Sequence, residues 1–150
     1  MTTNTNWKKG RGKLGLLQPL LGTWVAEADS ALGPVRCKRT FQRALDDKYI
    51  QLNVVWEMEK GSYEEIAYFG VLPDGTPGFW SFTSDGKQAQ GQLADVTDIH
   101  PQAIGFEAHM PAGLGRQAYW PDDESGFHWV VEAMTKKGWS RFTHHHYRKA

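Results

Sequence analysis

The chain has 150 residues, 40% hydrophobic and 23% charged, which is enough apolar content for one ordinary domain and too little length for two. Seventeen basic residues balance seventeen acidic ones, so the basic excess of a dedicated nucleic-acid binder is missing. A single cysteine, Cys37, excludes an internal disulfide framework and any multi-cysteine metal or iron–sulfur site.

Residues 1–13 hold Lys8, Lys9, Arg11 and Lys13 and no acid, and read as a flexible, solvated basic tail. The apolar run at Leu14 is broken by Gln18 and Pro19, too early for a secretory signal, and no stretch approaches the ~18 apolar residues of a membrane-spanning helix. A cytoplasmic protein is expected. Residues 14–21 are the only helical candidate. From residue 30 onward turn signals recur at close spacing, among them Lys60-Gly61, Pro73-Asp74-Gly75, Ser84-Asp85-Gly86 and Lys137-Gly138. Between them the apolar residues alternate: Ile50, Leu52, Val54, Trp56 and Met58 on one side, then Ile104, Phe106, Ala108 and Met110, then Phe127, Trp129, Val131 and Ala133. This pattern predicts ten strands at 23–29, 35–44, 48–59, 63–72, 77–84, 88–97, 102–110, 115–121, 126–135 and 138–148. Ten short antiparallel strands form a sandwich or a closed up-and-down barrel. The absence of long Greek-key connections favours the barrel, which would fill residues 14–150 as one all-β domain.

The last strand carries the most informative side chains. Alternation places Trp139, Arg141, Thr143, His145 and Tyr147 on one face, read as the inner one, and Ser140, Phe142, His144, His146 and Arg148 on the other. Polar groups inside an apolar lumen must be paired with each other, with water or with a ligand. They fit either a small-molecule pocket or an internal hydrogen-bond network. Arg39 shares a strand face with Cys37 and Phe41; if that face is inward, its guanidinium wants an acidic partner or an anionic ligand, and otherwise it lies on the surface. Cys37 reads as a small buried filler. Of the consecutive histidines only His144 and His146 share a side, too few for zinc without help, and no metal ligands are assigned. Two glycine patterns, at Gly10 and Gly113, lack the strand and helix of a phosphate-binding loop. Glu64-Glu65 and Asp122-Asp123-Glu124 read as exposed charge. Most of the six tryptophans from Trp24 to Trp139 are expected to be structural, with those beside a cavity also lining it.

The segment Leu20-Leu-Gly-Thr-Trp24 resembles the Gly-x-Trp opening of lipocalins and other calycins. The hairpin from Tyr63 to Gly86 and the ending Tyr147-Arg148 are similar to those of a bacterial calycin-like family of unknown function. The resemblance, which covers the chain from Leu14 onward, implies a ten-stranded lipocalin-like barrel with a short N-terminal helix closing one end. Fatty-acid-binding proteins are similar in strand number and hold a ligand carboxylate with an inward Arg-x-Tyr on the last strand; here His145 and Tyr147 occupy the matching positions. Nitrobindin-like haem domains share the opening, but Val25-Ala-Glu-Ala28 departs from their glycine-rich continuation.

The expected function is reversible binding of a small hydrophobic or amphipathic molecule inside the barrel. The expected site comprises Trp24, Arg39, Trp56, Trp129, Arg141, Thr143, His145 and Tyr147, with no catalytic residue assigned. Haem or nitric-oxide binding is the alternative, and a lyase or isomerase using a buried histidine as base is a third. A second copy of the chain is an optional partner; no nucleic acid and no membrane span are expected.

Overall fold

A computed structural model describes residues 4–31 and 33–150, and Met1–Thr3 of the expected tail lie outside the described residues. A 3-10 helix, Gly15–Leu20, precedes ten strands: β1 (Gly22–Ser30), β2 (Gly33–Ala44), β3 (Tyr49–Met58), β4 (Gly61–Val71), β5 (Pro77–Thr83), β6 (Gln88–Ala94), β7 (Ile104–Met110), β8 (Gly113–Pro121), β9 (Phe127–Thr135) and β10 (Gly138–Lys149). Each strand pairs antiparallel with its neighbours in sequence, and β1 pairs with β10 to close the barrel. The closing seam is short, registering Trp24 with Lys149 and Val25 with Arg148. Closure leaves no sheet edge unpaired along the ring, which is why a meander of this length is stable without a second layer. Among the described residues no helix is long and apolar enough to cross a membrane.

Local chemistry sets the turns. Gly86 and Gly138 adopt φ of 85° and 108° at the β5–β6 and β9–β10 hairpins, conformations that cost a residue with a Cβ. The β2–β3 turn puts Leu45, Asp46 and Asp47 in the left-handed region, where the two aspartates are better tolerated than most side chains. Pro19 within the first helix, together with its brevity, suits a 3-10 turn rather than an extended α-helix.

That helix plugs one end of the barrel. Leu17 and Leu20 are fully buried beneath it, and the Trp24 indole Nε1 donates to the Leu20 carbonyl at 2.8 Å. Trp24, Phe41, Phe69, Phe106, Tyr119, Phe127 and Tyr147 fill the adjoining half of the lumen as one packed cluster. Residues 4–13, expected as a solvated tail, make specific contacts over this same end. Asn4 Nδ2 donates to the Gly126 carbonyl at 2.9 Å, Trp7 Nε1 to the Gln102 carbonyl at 3.2 Å, and the Trp7 ring lies 6.5 Å from Phe127.

One predicted boundary and one strand register depart from the alternation for identifiable reasons. β6 stops at Ala94 because Asp95 caps a tight turn with its carboxylate on the Thr97 amide, 2.9 Å away. Val96 then leaves the sheet pattern and buries itself outside the barrel against Ala118 and Val130. Gly105 makes room for it, since a Cβ there would lie 2.3 Å from the Val96 methyls. β10 contains a bulge between Arg141 and Thr143, where its register on β9 slips by one residue.

Candidate functional site

Cross-strand register carries one row of inward residues around the middle of the barrel: Arg39 opposite Val54, Val54 opposite Glu65, and Glu65 opposite Thr83. A second row runs from His145 to Trp129 to Tyr119 across β10, β9 and β8. The two rows bring Arg39 against aromatic rings from the far wall. Its Cζ lies 4.1 Å from the Trp129 ring centroid, 5.2 Å from Tyr147 and 5.6 Å from Tyr119. Arg39 is therefore an inner residue, and it is only 1% exposed.

Its hydrogen bonding is incomplete. Nη1 donates to the Tyr119 hydroxyl at 2.7 Å and the Tyr147 hydroxyl lies near enough to interact with the guanidinium, but Nε and Nη2 are buried without a partner in good hydrogen-bond geometry. Those two atoms carry three of the five guanidinium N–H bonds. Among the described residues Arg39 forms no ion pair. Burial works against its charge, yet the Tyr119 and Tyr147 hydroxyls and the Glu65 carboxylate more than offset this and hold it cationic.

The surrounding groups are neutral. Burial pushes the Cys37 thiol up to about 11, with Arg39 and the neighbouring Tyr147 hydroxyl opposing only in part. Burial likewise raises the Tyr119 and Tyr147 hydroxyls. His145 is held down to about 4 by burial first, then by the charge on Arg39 and by His144. Its Nδ1 lies 3.4 Å from the Tyr147 hydroxyl. The Trp56 and Trp129 rings flank its imidazole, with centroids 5.1 and 5.3 Å away. Both indoles therefore pack directly on the imidazole.

Towards the hairpin end, opposite the plug, the inward residues are no longer fully buried. Ala28, Trp56, Met58, Tyr63, Gln117, Val131 and Thr143 all face inward yet remain partly exposed. The Gln117 carboxamide accepts the Trp129 indole N–H at 3.0 Å and so fixes the orientation of that ring. Trp24 sits at the plugged end, in edge contact with Phe127 at 4.9 Å, and belongs to the packed floor. Thus Arg39, Trp56, Trp129, Thr143, His145 and Tyr147 share one lumen, with Trp24 beneath them.

Arg141 does not join them. The bulge beside it reverses the alternation, so Arg141 and Trp139 lie outside the barrel and Phe142 is 66% exposed. Arg141 Nε donates to Glu132 Oε2 at 2.9 Å. The other Glu132 oxygen accepts Arg116 Nε at 2.9 Å, while Arg116 also grips Asp98 through both terminal nitrogens and stacks 4.1 Å from the Trp139 ring. Arg141 is therefore part of an outer ion network. Also outside are His128, His144 and His146. His128 stacks on His146 at 4.4 Å, and His146 Nε2 meets Asp122 Oδ2 at 2.8 Å. Among the described residues no group of three or more potential ligands is placed to hold a metal ion.

Glu65 is the functional candidate that the sequence reading misplaced. It was expected on the surface with Glu64, but it shares the inner face of β4 with Tyr63, Ala67 and Phe69. Burial pushes its carboxyl up, and Arg39 only partly counters this. The period-2 pattern of Tyr63, Ala67 and Phe69 was the available signal. No known family model matches the chain, and a search of the curated proteins returned no similar sequence.

Proposed function

We propose that the protein reversibly binds a small amphipathic molecule in the hairpin-end half of its barrel, as the resemblance to calycin-like barrels also suggests. One observation carries this reading: inward side chains near the plug are sealed from water, whereas Trp56, Tyr63, Gln117 and Thr143 face inward and stay accessible. Partly exposed aromatic side chains above a few polar groups are what a small amphipathic guest would meet at this end. The apolar body of a guest displaces water from the rings, at roughly 25 cal/mol per Å² of apolar surface buried. His145, Tyr147, Thr143 and Arg39 orient its polar part.

N-phenylnaphthylamine, a neutral dye that brightens in apolar surroundings, tests the reading. Saturable binding at one site with energy transfer from tryptophan is the expected result. Thr143→Trp, which fills the opening, abolishes it, while Phe142→Trp on the outer face does not. No saturable binding by a folded wild-type protein, or equal loss in both variants, refutes the proposal.

A further inference from the structure

We infer that the protein carries a second binding site, a cleft at the plugged end of the barrel that takes a small amphipathic anion with its charged head on Lys9 and Lys13. This site lies at the opposite end from the lumen site proposed above and does not depend on it.

The cleft forms where the plug stops short. It has a volume of about 800 Å³, within the range of small-molecule sites, and runs between the chain leading into the 3-10 helix and the ends of β5, β6 and β7. Leu16, Pro19, Pro77, Leu93 and Ile104 give it an apolar floor, and Trp7 stands at one side. Leu93 marks the gap. Its register partner on β7 is Phe106, which is 1% exposed, so Leu93 belongs to the inner face of the sheet. Yet Leu93 is 36% exposed, an exception to the seal that the helix makes over its neighbours. An inward leucine left open to a cleft is apolar surface that a guest can cover.

Both walls are held in place before any guest arrives. On one side the Gly10 amide donates to the Gly15 carbonyl at 2.8 Å, in a turn so tight that a Cβ on Gly15 would overlap the Gly10 carbonyl oxygen. On the other, buried Val96 anchors the β6–β7 loop, in which the Ile99 amide donates to the Val96 carbonyl at 2.9 Å and the Ala103 amide to the His100 carbonyl at 3.1 Å. The Trp7 indole, donating to the Gln102 carbonyl, joins the two walls. A preformed site gives up little freedom on binding, which favours a small ligand.

Charge decides the kind of guest. Residues 8–13 contribute four bases and no acid to one rim, and of these Lys9 and Lys13 border the cleft. Lys13 Nζ donates to the Gly75 carbonyl at 3.3 Å, which holds it over the mouth and engages one of its three N–H bonds. Gly75 makes room for it, since a Cβ there would come within 2.8 Å of Nζ. The acids nearby are committed to their own turns. Asp74 accepts the Thr76 amide at 2.9 Å, and Asp95 accepts the Thr97 amide at 2.9 Å and its hydroxyl at 2.6 Å. A net positive rim above an apolar floor suits one anionic group on an apolar body. A polyanion would bring its further charges against Asp74 and Asp95. Each exposed ammonium group is worth a few-fold in affinity, so reversing both shifts anion binding by about tenfold.

The test pairs 1-anilinonaphthalene-8-sulfonate, an anionic dye, with N-phenylnaphthylamine, which is the same molecule without the sulfonate. Saturable binding of the anionic dye at one site is expected, kept in Thr143→Trp and abolished by Leu93→Trp, which fills the floor of the cleft. The neutral dye shows the reverse pattern. Lys9→Glu combined with Lys13→Glu weakens the anionic dye at least fivefold and leaves the neutral dye unchanged. Should Leu93→Trp fail to fold, the lysine reversal and Thr143→Trp still decide the matter. An anionic dye that does not bind, that is lost in Thr143→Trp, or that ignores the lysine reversal overturns the inference while the lumen reading stands. Binding to phosphatidylglycerol vesicles in place of saturable dye binding would assign the basic rim to a membrane surface and also overturn it. Failure of the neutral dye alone overturns the lumen reading and leaves the cleft in place.

Discussion

Acid should weaken this barrel through His145, and the size of the effect can be worked out from its surroundings. The imidazole is 5% exposed and titrates at about 4 in the folded protein, because burial, Arg39 and His144 all oppose its charge; the unperturbed value is 6.5. A folded-state pKa below the unfolded one means that the unfolded chain takes up the proton first. The stability tied to a neutral His145 is therefore complete above about pH 6.5 and is lost as pH falls toward 4, at about 1.4 kcal/mol per pH unit. Between pH 7 and pH 5 the loss is about 2 kcal/mol, or roughly 4–8 °C in Tm for a domain of this length. His128 and His144 are also held down, chiefly by burial, and titrate in the same direction. The difference between wild type and His145→Gln isolates the contribution. Urea unfolding followed by tryptophan fluorescence from pH 4.5 to 8 should show the wild-type stability falling more steeply than that of the variant below pH 6.5. Parallel curves would refute the claim that His145 is buried, neutral and opposed by Arg39.

Three further outcomes separate inside from outside. Glu132, with a side chain 7% exposed, joins Arg116, 5% exposed, to Arg141, 39% exposed, and because Asp98 still pairs with Arg116, Glu132→Ala should cost roughly 1–3 kcal/mol, chiefly by leaving the buried Arg116 Nε without an acceptor. Arg141→Ala should cost about 1 kcal/mol or less and leave dye binding unchanged, as chemical denaturation and titration would show; loss of binding would put Arg141 back in the lumen. Cys37, buried and with its thiol pushed up to about 11, should resist a thiol reagent at pH 8 and react only on unfolding, a contrast that a colorimetric thiol assay reads directly.

Much of the architecture follows from local rules. Period-2 alternation and turn residues set the number of strands and nearly all their limits, because each hairpin is specified within about twenty residues of chain. The inward direction of Trp56, Trp129, His145 and Tyr147 was readable for the same reason. Where one residue breaks the alternation, that logic fails. The bulge between Arg141 and Thr143 sends Trp139 and Arg141 outside, and nothing in Trp139-Ser-Arg-Phe-Thr marks the slip, because Phe142 looks no less suited to the interior than Arg141.

Strand pattern alone, then, determined a ten-stranded antiparallel meander with one aromatic-rich face, since hydrophobic periodicity and turn chemistry act over short stretches of chain. Only the tertiary structure decided that β2, β8, β9 and β10 converge on one guanidinium, that Glu65 faces it from β4, and that two of its nitrogens remain unmet. Those relations join residues up to 108 positions apart, from Arg39 to Tyr147. They depend on barrel closure and cross-strand register, which no single strand encodes.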